Sequence, residues 1–286
     1  MRTKDISYWL FLAPVLIALF LVVVVPMLLG VYYSFTSWNG IVTGDFVGLQ
    51  NYINLFKDER FMDALWFTTK FSVVSVILIN VIGLSLALLV TSYLKTSKLL
   101  RTIFFMPNLI GGLILGFIWQ FIFIKVFAGV GEMIGMESLQ GWLSTTETGF
   151  WGLVILMSWQ MAGYIMVIYI AYLEGMPKEL LEASEIDGAS TVQRFRYIVF
   201  PLVAPGFTVS MFLTLSNAFK LYDQNLSLTG GGPFNSTEMV AMEIFKTAFT
   251  QNDFAFAQAK AVVFFIIVAI IALLQVYFNK RKEVEM

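Results

Sequence analysis

Histidine and cysteine are both absent from this 286-residue chain. Without cysteine there is no disulfide, thiol nucleophile or thiolate metal site. Without histidine the commonest catalytic base, the commonest metal ligand and the usual near-neutral proton relay are missing. Charge is scarce too: Asp, Glu, Lys and Arg make up 13% of the residues, where a soluble domain usually carries about 25%. A net charge of −1 gives no electrostatic case for nucleic-acid binding. No G-x-x-x-x-G-K-[ST] run occurs, and the one glycine run, Gly230-Gly231-Gly232-Pro233, has no Lys-Ser/Thr after it. The chain therefore has no recognisable phosphate loop. Most hydrolase schemes are excluded, and if ATP supplies energy, another polypeptide hydrolyses it.

What the chain has in abundance is apolar length. Hydrophobic residues make up 58%, and the mean hydropathy is +0.80. A membrane-crossing helix needs roughly 20 mainly apolar residues. Six stretches qualify: Leu10–Tyr33, Phe71–Leu94, Ile103–Ile124, Phe150–Tyr172, Val203–Phe219 and Ala261–Phe278. The fifth is short and is expected to continue through Lys220 to Tyr222. The first exceeds a typical signal-peptide core and has no small-x-small cleavage site, so it reads as a retained span. Pro14 and Pro26 lie within it, as kinks that membrane helices tolerate.

Lys/Arg bias sets the orientation. With the N-terminus inside, the inner segments hold Arg2, Lys4, Lys95, Lys98, Arg101, Lys178, Arg194, Arg196, Lys280, Arg281 and Lys282, which is eleven of the eighteen basic residues. Both termini are therefore expected on the cytoplasmic face. Trp9, Trp38, Trp142 and Trp151 fall near span boundaries, as interfacial anchors or as packing residues. Lys220 apart, at the expected extension of the fifth, the six stretches contain no Asp, Glu, Lys or Arg. A proton-coupled carrier commonly holds such groups in the membrane. Sodium can be held by carbonyls and hydroxyls alone, so that coupling is weakened but stays open, as does a passive channel.

Between the fourth and fifth stretches lies an inner loop, residues 175–201. Pro177 suits the first turn of a helix continued by Lys178 to Ile186. Gly188 can take the positive φ that stops it. Ser190 and Gln193 form an S-x-x-Q capping box for a second helix, with Val192, Phe195, Ile198 and Val199 along one face and Pro201 as an interruption before the fifth span. On these features alone the pair is either a partner's docking element or an amphipathic pair lying on the membrane.

Glu182-Ala183-Ser184, then Asp187-Gly188-Ala189, Phe195, Ile198, Pro201 and Pro205 resemble the EAA loop of bacterial ABC-importer permeases, in the carbohydrate-uptake branch that includes the maltose and glycerol-3-phosphate permeases. Phe46-Val47-Gly48-Leu49-Gln50-Asn51-Tyr52, Met106-Pro107-Asn108 and Leu228-Thr229-Gly230-Gly231-Gly232-Pro233 extend the resemblance along nearly the whole chain. It implies an all-α, six-span, type I ABC-importer permease fold in a single domain, 1–286, in the bacterial inner membrane. It also implies a coupling helix seated on an ATPase subunit through Glu182, Ala183, Ser184, Asp187, Gly188 and Ala189. The implied partners are a second homologous permease chain, two ATPase subunits holding ATP and Mg, and an external solute-binding protein delivering a sugar. This chain itself would bind no cofactor and catalyse nothing. Glycerol phosphate, polyamine or peptide import is the alternative within the same build.

Candidate pathway residues come from the fourth and fifth stretches. Ser210, Thr214 and Asn217 recur at i, i+4 and i+7, a polar stripe on an apolar helix. Gln160 and Tyr164 lie one turn apart, beside Trp159. Hydroxyls, amides and an aromatic face are what sugar binding uses. Helix-to-helix hydrogen bonding is the competing use of the same groups. In the resemblance, Tyr164, Thr214 and Ala218 match pocket positions of maltose-type relatives. Ala218 and Leu221 are apolar where those relatives are polar. Gly112 and Gly116 read as a helix-packing pair, and Trp119 and Gln120 as lining or packing.

Overall fold

The computed structural model describes residues 2–42, 44–92 and 95–281. Leu94 and Lys282, and the side chains of Arg2, Lys4 and Lys178, lie outside what it describes. Among the described residues, six helices are long and apolar enough to cross a membrane: Tyr8–Tyr33, Glu59–Thr91, Gly112–Ile134, Thr146–Glu174, Thr191–Phe219 and Phe254–Lys280. They are referred to below as spans one to six.

Several boundaries differ from the hydropathy reading, each for a local reason. Span three does not start at Ile103. A separate helix, Ser97–Phe105, leads into a 3-10 turn, Met106–Leu109; Ile110 and Gly111 are then extended, and the span starts at Gly112. Pro107, with no N–H to donate, sits in that turn. Span six begins at Phe254, so it includes Lys260, which apolar length alone had left outside. Span five ends at Phe219, with Lys220 as its C-cap. It extends in the other direction instead, back to Thr191.

Pro201 does not interrupt span five. A π-helical turn, Phe195–Val199, closes just before it, with the Phe200 N–H donating to the Phe195 carbonyl. Span one repeats the device: a π-turn at Phe20–Val24 precedes Pro26, and the Val25 N–H donates to Phe20. A helical proline lacks an N–H and crowds the carbonyl four residues back. Widening the preceding turn relieves both, so the helix continues.

The described residues group into two compact units. The first comprises Met1–Met62 with Glu243–Ile266, the second Asp63–Met242 with Ile267–Met286. In the first, the outer loop after span one is tied down by its own motif. Asn51 Nδ2 donates to the carbonyls of Ser34 (2.8 Å) and Thr36 (2.9 Å), and the Tyr52 and Ser34 hydroxyls lie 2.6 Å apart. No residue from Tyr8 to Tyr33 is buried. In the second unit, span four is the centre. Leu153, Leu156, Met157, Ile165, Met166 and Tyr169 are buried along it, and the Ser97–Phe105 helix and span five pack on its sides. The short helix Asp223–Leu228 lies against span three, where Gly116 leaves its Cβ position to the Ser227 side chain. The Gly112/Gly116 pair is thus a packing contact. Gln120 Nε2 donates to the Leu228 carbonyl at 3.0 Å, and the Trp119 ring lies tilted against Phe123 and edge-on to Trp159, so both pack.

Candidate functional site

A polar cavity of about 360 Å³ opens in the second unit, lined by Asn108, Met157, Gln160, Met161, Tyr164, Leu213, Asn217, Lys220, Leu221 and Gln224. Each helix contributes from a fixed place. Gln160 and Tyr164 stand one turn apart on span four. Asn217 and Lys220 close the last turn of span five, and Gln224 opens the helix that follows it. Asn108 sits in the 3-10 turn before span three. Gln160 is committed at both ends: its Nε2 donates to the Ile110 carbonyl (3.2 Å), and its Oε1 accepts from Gln224 Nε2 (2.9 Å). The Asn217 amide donates to the Leu213 carbonyl at 2.8 Å. Just past the cavity, burial and then the neighbouring Asp223 carboxylate push the Tyr222 phenol above its ordinary range, so it stays neutral.

The six pathway candidates do not gather in one place. Gln160, Tyr164 and Asn217 line the polar cavity. Ser210 and Thr214 do not; both are completely buried. Thr214 Oγ1 accepts from Asn80 Nδ2 at 3.1 Å, and Asn80 Oδ1 accepts from the Tyr169 hydroxyl at 2.7 Å. That buried triad joins spans two, four and five, the helix-to-helix use of polar groups in an apolar medium. Trp159 lines a different, apolar cavity of about 710 Å³, with Trp151, Ile155, Phe104 and Leu78. Ala218 is buried away from the polar cavity and Leu221 borders it. Asn108 and Gln224 were missed as lining residues: Asn108 lies inside the third apolar stretch but folds into the 3-10 turn before the span, and Gln224 follows the fifth stretch. Lys220 was visible only as a charge at a span's end.

The 175–201 loop is built much as its local chemistry indicates. Pro177 is the N-cap, one position earlier than expected, and the helix runs Lys178–Ile186. Gly188 takes φ +75°. The Ala189 N–H then reaches the Ser184 carbonyl (3.0 Å) and the Gly188 N–H the Glu185 carbonyl (3.1 Å), the paired bonds of a Schellman stop. Ser190 and Gln193 cap the next helix reciprocally. Glu185 and Arg194 pair across the bend. Ser184 is buried, donating to the Leu181 carbonyl at 2.6 Å. Glu182, Ala183, Asp187 and Gly188 are exposed, and Ala189 is half-buried. Val192 points outward at 74% exposure while Phe195, Ile198 and Val199 are half-buried, so it leaves the face it was expected to share.

In the first unit, the Lys260 ammonium is buried between two carboxylates, Asp58 Oδ2 at 2.7 Å and Glu243 Oε1 at 2.6 Å. Thr247 Oγ1 accepts from it at 3.0 Å and the Phe256 ring lies 4.3 Å away. Burial pushes the Asp58 carboxyl up. The Lys260 hydrogen bond and charge, with the Phe61 and Arg60 N–H groups, more than offset this and hold it below its usual range.

Residues 79–284 match the family described as binding-protein-dependent transport system inner membrane component. A protein of Thermoanaerobacterium thermosulfurigenes, described as a probable starch degradation products transport system permease, is 56% identical, covering 99% of this chain and 97% of its own. A multiple sugar-binding transport system permease protein of Streptococcus mutans is 31% identical across 96% of both chains. Among solved structures, a bacterial alginate ABC transporter in complex with an alginate pentasaccharide-bound periplasmic protein contains a chain that superposes with a TM-score of 0.84. That chain is 20% identical, with 98% of this chain and 96% of the other covered. At that identity the likeness speaks for the fold.

Proposed function

The chain belongs to the family of binding-protein-dependent transport system inner membrane components, and from that premise we propose that it forms half of the translocation pathway of an ATP-driven importer of sugars or short oligosaccharides. The observation that carries the substrate class is the full-length, 56% identity to a permease described as transporting starch degradation products. The amide-rich cavity supports it, since such groups suit hydroxyl-bearing solutes. In this reading a second permease chain completes the pathway, two ATPase subunits seat the 175–201 loop, and an external binding protein delivers the sugar. The chain acts as one permease domain and performs no covalent chemistry.

The mechanics follow from the continuity of span five. The Schellman stop, the capping box and the Glu185–Arg194 pair stiffen the loop. From Thr191 the helix runs unbroken to Phe219, about 40 Å at 1.5 Å per residue. A push on the loop by a closing ATPase pair is thereby carried to Asn217 and Lys220 at the cavity. Hydrolysis then lets the helix return.

The test is reconstitution in lipid with partner chain, ATPase and binding protein. Gly188→Val puts a β-branched residue at positive φ, a strain of about 1–3 kcal/mol, with open space around the Cβ position. Glu182→Lys reverses an exposed charge. Both variants should insert, lose uptake and weaken sugar-stimulated ATP hydrolysis. Uphill uptake by the isolated chain on a sodium or proton gradient would overturn the importer reading.

A further inference from the structure

Among the residues that line the polar cavity, Lys220 is the one charged side chain, and no carboxylate lines it. Lys220 makes no ion pair with another described residue. The nearest carboxylate along the chain, Asp223, is exposed at the start of the next helix and does not line the cavity. Tyr222 adds no negative charge. The amides lining the cavity are partly committed: Gln160 at both ends, Gln224 and Asn217 through their NH₂ groups. What the cavity offers a solute is a cation with three free donors and, around it, neutral acceptors.

We infer that Lys220 sets the charge preference of this half of the pathway, favouring solutes with a carboxylate or phosphate over neutral sugars and opposing amino sugars. This rests on the cavity being the solute pathway. The physical reason is Coulombic. A cation facing a cavity without a counter-ion attracts an anionic group and repels an ammonium, and the walls screen it less than open water does. The same lysine can still donate to hydroxyls, so neutral sugars are admitted rather than refused. A helix-capping role is the competing explanation, because a cation at a helix C-terminus is favourable in itself. That role predicts no dependence on solute charge.

The absence of cysteine from the chain makes the test direct. Lys220→Cys, in the assembled complex with partner, ATPase and binding protein in proteoliposomes, is treated with aminoethyl or sulfonatoethyl methanethiosulfonate, the unsubstituted chain serving as control. The readout is the ratio of uptake of a uronate-capped oligosaccharide to its neutral counterpart; one binding protein throughout cancels its own preference. The ratio should be highest for Lys220 and the aminoethyl adduct. It should fall about two- to fivefold for the neutral thiol, the range of a partly screened charge pair, and further for the sulfonate. Lys220→Arg should keep the ratio and Lys220→Gln lower it, which gives the answer if the cysteine complex assembles poorly. An unchanged ratio across all charge states, with uptake intact, overturns the inference and leaves the importer reading standing. Failure of that reading looks different: no ATP- and binding-protein-dependent uptake by any complex, the unsubstituted one included.

Discussion

Two lysines at the ends of long helices are put to opposite uses. Lys260 is 1% exposed and held by Asp58, Glu243 and Thr247 within 3.0 Å. Lys220 is exposed and faces a cavity without a carboxylate. The first is a closed cluster, in which every donor of the ammonium has an acceptor. Such an ammonium ties together the segments that bear its partners and has no donor left for a ligand. The second is an open site, whose donors are available because no protein group has taken them. Burial with partners makes structure, and exposure without them makes a site.

The comparison is broken most forcefully at Lys260. Removing one member of a buried ion cluster strands the others and costs about 3–5 kcal/mol. Lys260→Met should therefore lower the unfolding midpoint of the purified chain substantially, whereas Lys220→Met should leave it nearly unchanged, its stability effect being about 0.5 kcal/mol or less. Equal thermal shifts for the two variants would show that the contrast is not real.

The buried triad comes next. Asn80→Ala takes away the acceptor of the Tyr169 hydroxyl and the donor to Thr214. Hydrogen bonds between membrane helices reach about 1–2 kcal/mol at their strongest, and stability should drop by that order. Solute preference in an uptake assay should be untouched, because none of the three lines the polar cavity. A shift in sugar preference would put the triad back in the pathway.

Acid sharpens the contrast through Asp58. Its carboxyl is held below the usual range in the folded chain, so its contribution is fully present above the ordinary carboxylate pKa of about 3.9. It is lost as pH falls through the folded value. Unfolding midpoints followed from pH 7 to well below about 4 should fall less steeply in that acid range for Asp58→Asn than for the unsubstituted chain, and parallel curves there would refute the assignment. The smallest stability effect belongs to Asn217→Ala, within about 0.5 kcal/mol. Its readout is apparent sugar affinity in the assembled complex, expected to weaken several-fold while assembly is retained.

Much of this was legible locally. The six spans follow from apolar length, which is additive along the chain. The Gly188 stop and the Ser190/Gln193 box rest on residues within six positions of one another. The EAA-like motif lies on that same short segment. Pro201 was legible as a proline but not as a continued helix, since the π-turn that absorbs it has no composition signal. The polar stripe Ser210, Thr214 and Asn217 was correct as a pattern, yet its members diverge. Three residues of drift, and the end of span five just beyond, place Asn217 at the cavity while Ser210 and Thr214 turn into the helix interface.

By itself the sequence determined that this is a membrane protein with six apolar spans, a loop of two capped helices at 175–201 and no recognisable phosphate loop. Those properties depend on residue type and short spacing, so no neighbour can reverse them. Which polar groups face a cavity and which face each other was decided only by the tertiary structure. Asp58 and Lys260 lie 202 positions apart, and Asn80 meets Thr214 across 134. Whether a polar side chain is consumed or left available depends on what packs against it, and helix packing, not helix formation, sets that.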